Sequence, residues 1–169
     1  MATATSGFSA ADLSARLIQL NSDYARAIDD GRFEAWPDFF VDDCLYKLTS
    51  ADNHAQGMQA GLMYADSRGM LSDRISALRV ANIYERQRYR HIVGLPALLG
   101  AGDGADAGTI RTETSFLVVR IMRDGTMDVF ATGRYLDLVE EDAGGALRFR
   151  ERIVVCDSNR FDTLVAIPL

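Results

Sequence analysis

Residues 109–157, TIRTETSFLVVRIMRDGTMDVFATGRYLDLVEEDAGGALRFRERIVVCD, read as three consecutive antiparallel strands. Residues 112–123 are rich in β-branched and apolar side chains, which suit a half-buried pleated surface. Asp124-Gly125 follows. That pair is a strong hairpin signal, because a tight turn needs left-handed backbone and glycine adopts it freely. The chain returns over Met127–Val139, turns at Ala143-Gly144-Gly145 and comes back over Leu147–Asp157. Successive side chains of a strand point to opposite faces. On that period Leu147, Phe149, Ile153 and Val155 share one face, a core wall. Arg148, Arg150 and Arg152 share the other, which continues into Val154 and Cys156. Three like charges in a row repel, so carboxylates are expected beside them, either internal ones such as Glu113 or Asp128 or those of a partner. A freely solvated face has no need of the apolar end. Arg148, Arg150 and Arg152 are therefore candidate interface residues.

Outward from the meander, the upstream chain is helical first. Ser9-Ala-Ala-Asp12 is patterned as a capping box, with Asp in the place of the usual Glu. A helix is expected to about Asp30, with Leu13, Leu17, Leu20, Tyr24 and Ala27/Ile28 on one face and Gly31 as its stop. Arg32–Phe40 is an aromatic knot and reads as a short second helix with Pro37 near its first turn. Phe33, Trp36, Phe39 and Phe40 recur at spacings of three and four, as packing against a sheet requires. Cys44–Thr49 reads as a short strand, 51–57 as a loop and Gly61–Asp66 as a second strand. Gly69–Asn82 reads as a helix with Leu71, Ile75 and Leu78 on one face. Arg88–Val93 alternates as a strand, and Leu95–Gly108 is a Gly-rich exposed loop. Helices come first and an antiparallel sheet last, which is an α+β arrangement, read as one domain over residues 1–169.

At 169 residues the chain buries enough surface to need no disulfide staples. Its net charge is −6, with pI near 4.9, which argues against a nucleic-acid or acidic-membrane partner. Cys44 and Cys156 each fall in an expected strand and read as free buried thiols. No apolar run approaches the ~18 residues of a membrane helix. Met1–Ser6 lacks the pattern of a signal peptide, so a cytoplasmic location is expected.

Chemistry-bearing residues are sparse. The only histidines are His54 and His91. A Rieske cluster needs two Cys and two His in paired short motifs, and no Cys here has a His or second Cys within three residues. The close ligand spacing of a two-His-one-carboxylate iron site is missing as well. No nucleophile-elbow, P-loop or dinucleotide-binding motif occurs. Gly100-Ala-Gly102-Asp-Gly104 lacks the flanking strand and helix that would give it meaning. His91 faces with Tyr89 and Val93, and Asp38, Tyr24 or Tyr46 could approach it as an acid–base set. The plainer reading is a core or interface histidine satisfied by a backbone carbonyl, and it is preferred because no spacing distinguishes a site. Glu151 sits in an otherwise apolar row and is expected to pair with an Arg of a neighbouring strand.

Several stretches together resemble the small (β) subunit of aromatic-ring-hydroxylating dioxygenases. They are Asp29…Trp36-Pro37…Phe39-Phe40…Asp43-Cys44…Tyr46, then Asp66-Ser67…Met70-Leu71…Asp73-Arg74-Ile75…Leu78…Ala81-Asn82-Ile83-Tyr84. Arg88-Tyr-Arg-His91, Glu151…Asp157, Asp162-Thr-Leu and Pro168-Leu extend the match over nearly the whole chain. DNHAQG at 52–57, DRISALR at 73–79, ANIYER at 81–86 and RYRHI at 88–92 resemble most the members that act on terephthalate. The resemblance implies a cone-shaped fold of the nuclear-transport-factor-2-like (cystatin-like) type. It also implies a self-trimer within an α3β3 hexamer, with no cofactor in this chain. The Rieske [2Fe–2S] cluster, the mononuclear Fe(II) and the substrate pocket would lie in the large (α) subunit. The same fold hosts dehydratases and isomerases, so a stand-alone enzyme using His91 with Asp38 or a tyrosine is the alternative, and a small-molecule carrier a third reading. A cone filled by Trp36, Phe39, Phe40 and Leu side chains supports the structural subunit. An open one with convergent polar groups supports the enzyme.

Overall fold

A 20-residue helix, α1 (Ala10–Asp29), lies across the inner face of a curved sheet. The structure is a computed structural model and describes residues 9–59, 61–80, 87–160 and 167–169. A 3-10 helix over Phe33–Phe39 leads into β1 (Phe40–Ser50). Then come α2 (Ala51–Ala55), β2 (Met63–Ala65), α3 (Arg68–Val80), β3 (Gln87–Val93), β4 (Ala97–Ala101), β5 (Ile110–Met122), β6 (Met127–Glu141) and β7 (Leu147–Cys156). The strands form one sheet in the order β2-β1-β7-β6-β5-β3, with β4 also pairing β5. All pairings are antiparallel except β1 with β7, which run parallel. Met1–Ser6, residues 81–82 of the expected third helix, the 81–86 motif and residues 161–166 of the tail lie outside the described residues.

The local signals act as expected at both ends of α1. The Ser9 hydroxyl accepts from Asp12 N at 3.2 Å, and the Asp12 carboxylate accepts from Ser9 N at 3.2 Å. At the β5–β6 hairpin Gly125 takes φ +88°, and the Asp124 carboxylate accepts from Thr126 N at 2.9 Å. Three segments differ from expectation. β1 starts at Phe40 and is much longer than Cys44–Thr49. Residues 51–55 form a helical turn rather than loop, because the Ser50 hydroxyl caps it by accepting from Asn53 N at 3.2 Å. The Gly-rich stretch contains β4, which adds to β5 through main-chain bonds that need no alternating apolar pattern.

The largest correction is in β7. Leu138 of β6 opposes Glu151, whereas the next residue, Val139, opposes Phe149. Arg150 is therefore an extra, bulged residue, and it reverses the in–out phase of the strand beyond it. Leu147 and Phe149 face the core before the bulge; Val154 and Cys156 face it after, and so does Arg152, which is 0% exposed. Arg152 thus does not share a face with Arg148 and Arg150. Its face is the inner one, and Ile153 and Val155 take the outer.

The inner face closes over α1 with Leu17, Leu20, Tyr24, Ile28, Phe33, Trp36, Phe40, Tyr46, Tyr135 and Phe149. Gly133 of β6 sits opposite Cys156 of β7, and a methyl there would run into the carbonyl oxygen of Val155. Backbone on that side cannot yield without breaking the β6–β7 ladder. Gly133→Ala is expected to cost about 1–3 kcal/mol, the usual range for overpacking, read as a lowered urea midpoint. An unchanged midpoint would show that the two strands have slack.

Candidate functional site

Inside the cone the chain builds one polar cluster in apolar surroundings. Asp137 of β6 lies opposite Arg152 of β7, so both project inward side by side. Arg152 Nε and Nη2 donate to the two Asp137 carboxylate oxygens at 2.8 Å each, and Nη2 also donates to Asn21 Oδ1 of α1 at 2.5 Å. The guanidinium lies over the rings of Phe149, Tyr135 and Tyr24 at 3.7, 4.1 and 4.3 Å from their centroids. Burial works against the Arg152 charge, but Asp137 alongside more than offsets it, so the guanidinium pKa is raised. Burial pushes the Asp137 carboxyl up, and Arg152 opposes that. The forked geometry, one donor to each oxygen, is that of a charged pair. Arg152 Nη1 and the Tyr135 hydroxyl are buried with no hydrogen-bond partner among the described residues.

Tyr24 and Tyr46 complete the chamber. Both hydroxyls donate to the main-chain oxygen of Leu169, at 2.8 and 3.1 Å, and Leu169 N donates to the Tyr46 oxygen at 3.2 Å. Burial raises both phenols, so they remain protonated donors. Rings fill the rest: Trp36 stands edge-on to Tyr46 at 5.0 Å and to Phe40 at 5.7 Å. Phe39, expected in the core, is only half-buried against it.

His91 is held elsewhere. Its Nδ1 lies 2.6 Å from Asp29 Oδ1, and its main-chain N–H donates to both Asp29 oxygens at 3.0 and 3.2 Å. A carboxylate only accepts, so Nδ1 is the donor in this contact. The ring's Nε2 is buried and finds no partner among the described residues. The carboxylate is Asp29, at the end of α1, because β3 packs against that helix. Asp38 is exposed beside the other end of the sheet, and Tyr24 and Tyr46 are engaged by Leu169. The expected set of His91 with Asp38 or a tyrosine is therefore not assembled, and the expected backbone carbonyl partner is replaced by a side chain. A cavity of about 280 Å³ lies between α1 and β3, lined in part by Asn21, Ser22, Asp29, Arg90 and His91.

On the outer side Arg148 Nε donates to Asp142 at 3.1 Å and Nη1 donates to the main-chain oxygen of Asp38. Arg150 Nη1 donates to Glu140 at 3.4 Å. The expected Asp128 instead pairs with Arg120 at 2.6 Å, and Glu113 lies 4.0 Å from Arg134. Turn geometry decides this: residues 140–142 fold back beside 148–150. Glu151 makes no ion pair with a described residue, contrary to expectation. The bulge turns it to the outer face, where burial raises its pKa, with Asp106 and Asp137 adding to the rise and Lys47 opposing it.

The chain's residues do not fit either iron centre. Cys44 lies near the middle of β1, whereas Cys156 pairs with Ser50 at the end of that strand, some 20 Å away at about 3.3 Å per residue. Burial pushes these thiols up to about 11 and about 12. His54 sits on α2 and His91 is committed to Asp29. No group of three or more His, Cys, Asp or Glu suited to a metal occurs among the described residues. Sequence reasoning missed Asp29, Asn21, Asp137 and Leu169. Only Asp137 carried a signal, as a carboxylate in phase with Tyr135 and Val139 along β6.

Comparison with known proteins gives this geometry a context. The model of the ring hydroxylating beta subunit family matches residues 23–163. The chain is 51% identical over 154 residues to a Comamonas sp. terephthalate 1,2-dioxygenase terminal oxygenase component subunit beta 1, covering 91% of this chain and 97% of that one. It is 34% identical over 153 residues to the anthranilate 1,2-dioxygenase small subunit of Burkholderia cepacia, covering 90% and 92%. A crystal structure of the β subunit assigned to an aromatic-ring-hydroxylating dioxygenase of Novosphingobium aromaticivorans superposes with a TM-score of 0.82 at 34% identity, covering 93% of this chain and 97% of that one. The helix across a curved, unclosed sheet is the nuclear-transport-factor-2-like architecture of these subunits. By sequence, fold and length of match, the chain belongs to the β subunits of the aromatic-ring-hydroxylating dioxygenases.

Proposed function

We propose that this chain, as one domain, is the non-catalytic building subunit of an oxygenase that cis-dihydroxylates an aromatic carboxylate such as terephthalate. The observation that carries the reading is the filled cone. Tyr24, Trp36, Phe40, Tyr46, Tyr135, Phe149 and the Arg152–Asp137 pair occupy the space where an enzyme of this fold would hold substrate. The 51% identity to a terephthalate oxygenase subunit supports the substrate class. The Rieske cluster, the mononuclear Fe(II) and the substrate pocket belong to a large α subunit. The assembly is α3β3, with the small subunits forming a trimer, in the cytoplasm. Arg148 and Arg150, half-buried beside Asp142 and Glu140, and Glu151, which has no ion-pair partner among the described residues, are the candidate subunit contacts; Arg152 is a core residue. No helix among the described residues is long and apolar enough to cross a membrane.

Co-expression with the large subunit tests this. The chain purified alone should be colourless with no stoichiometric iron, and the complex should carry iron and turn over. His91→Ala in the assembled complex should leave turnover within a few-fold. A loss of several orders of magnitude with the complex intact, or iron at about one per isolated chain, would overturn the reading.

A further inference from the structure

The geometry points to a small-carboxylate site inside the cone that the chain's own Ile167–Leu169 occupies. Ile167, Pro168 and Leu169 are all buried, with Leu169 at 0% exposure. The Leu169 oxygen sits where the hydroxyls of Tyr24 and Tyr46 converge, one from α1 and one from β1. Its apolar side chain belongs to the same core cluster as Trp36 and Phe40. An acceptor oxygen held by two phenol donors, with a branched hydrocarbon beside an aromatic wall, is the contact set of a small apolar carboxylate. The Leu169 oxygen stands in for the carboxylate, and the isobutyl group for its hydrocarbon.

A second observation is independent of that segment. The chamber holds more polar capacity than its own groups use. Arg152 Nη1 and the Tyr135 hydroxyl are buried and unpartnered among the described residues. Both adjoin Tyr24, whose ring lies 4.3 Å from the Arg152 guanidinium carbon and 6.2 Å from the Tyr135 ring. A closed core made only for packing would carry apolar groups there, since unpaired buried donors are costly. Unpaired donors and a convergent pair of phenols suit an anion with two oxygens. The segment at 167–169 therefore keeps a ligand-competent interior shut, which goes beyond the assembly role and does not depend on it.

Trp36 is the only tryptophan and borders Tyr46, so its emission reports the chamber directly. The experiment titrates 4-methylpentanoate, the carboxylate with leucine's hydrocarbon, into the full chain and into Ile167→Gly/Leu169→Gly, with 4-methylpentan-1-ol as the uncharged control. The parent should show no saturable change. The double variant should show one with the carboxylate and not with the alcohol, and adding Tyr24→Phe should weaken it about tenfold, as expected for one lost hydrogen bond. Should the double variant unfold, the readout becomes its folded fraction, which a ligand of the folded state raises by mass action. The proposal is overturned if the carboxylate changes neither emission nor folded fraction, if the alcohol acts equally well, or if the parent binds as tightly as the variant.

Discussion

Asp137→Ala is expected to remove about 3–5 kcal/mol of stability, the range for taking one partner from a buried ion pair. The magnitude follows from what remains. Arg152 stays charged in a chamber with no exposed surface, with the neutral Asn21 oxygen as its surviving polar partner. Neither strand can swing the guanidinium out, because Arg152 is locked between β1 and β6 in register with Tyr46 and Asp137. The apolar double replacement Asp137→Leu/Arg152→Met is the informative control. It removes both charges together and should lie well above the single variant in stability, since well-packed apolar substitutes for a buried pair are often neutral. Urea midpoints at constant slope measure all three chains. If Asp137→Ala costs under about 1 kcal/mol, the site is wet and the account of the chamber fails.

Trp36→Ala should be nearly as damaging, at about 3–5 kcal/mol, because it deletes a large aromatic from a closed core and leaves a cavity. Trp36 has 0% exposure and contacts Phe40 and Tyr46 edge-to-face, so no neighbour can slide in without breaking another ring contact. The comparison is Phe39→Ala. Phe39 is half-buried and touches Tyr24 at 5.7 Å from its outer side, so its loss should cost markedly less. Equal losses at the two positions would mean that the 3-10 segment acts as a unit and that burial does not rank its residues.

The parts of the fold written in short-range chemistry were legible in the sequence. Ser9 and Asp12 cap a helix by themselves, and Asp124-Gly125 turns a hairpin by itself. The family resemblance rested on residues spread from Asp29 to Leu169 and carried the identity that composition and spacing could not. What escaped was long-range. His91 and Asp29 are 62 residues apart and meet only because β3 packs on α1. Strand β4 has no alternating pattern, since its five residues are all exposed and main-chain bonds alone hold it to β5. The face assigned to Arg152 failed for a subtler reason. A strict period of two has no means of marking where a bulge interrupts it, and the pattern RFRER reads as regular on either side.

The single extra residue at Arg150 lets one strand serve two environments in turn, and that constrains how the chain can change over generations. Upstream of it, even steps from Leu147 stay inside; downstream, even steps from Arg152 do. Keeping the strand's length but pairing it without the bulge would restore simple alternation and exchange the two sides of everything that follows, ejecting Arg152, Val154 and Cys156 while drawing Glu151, Ile153 and Val155 inward. A lineage could therefore lose that one residue together with the bulge and keep every inward side chain inward, but it could not keep the residue and lose the bulge. What the ladder cannot give up, as long as that extra residue is present, is the bulge that absorbs it.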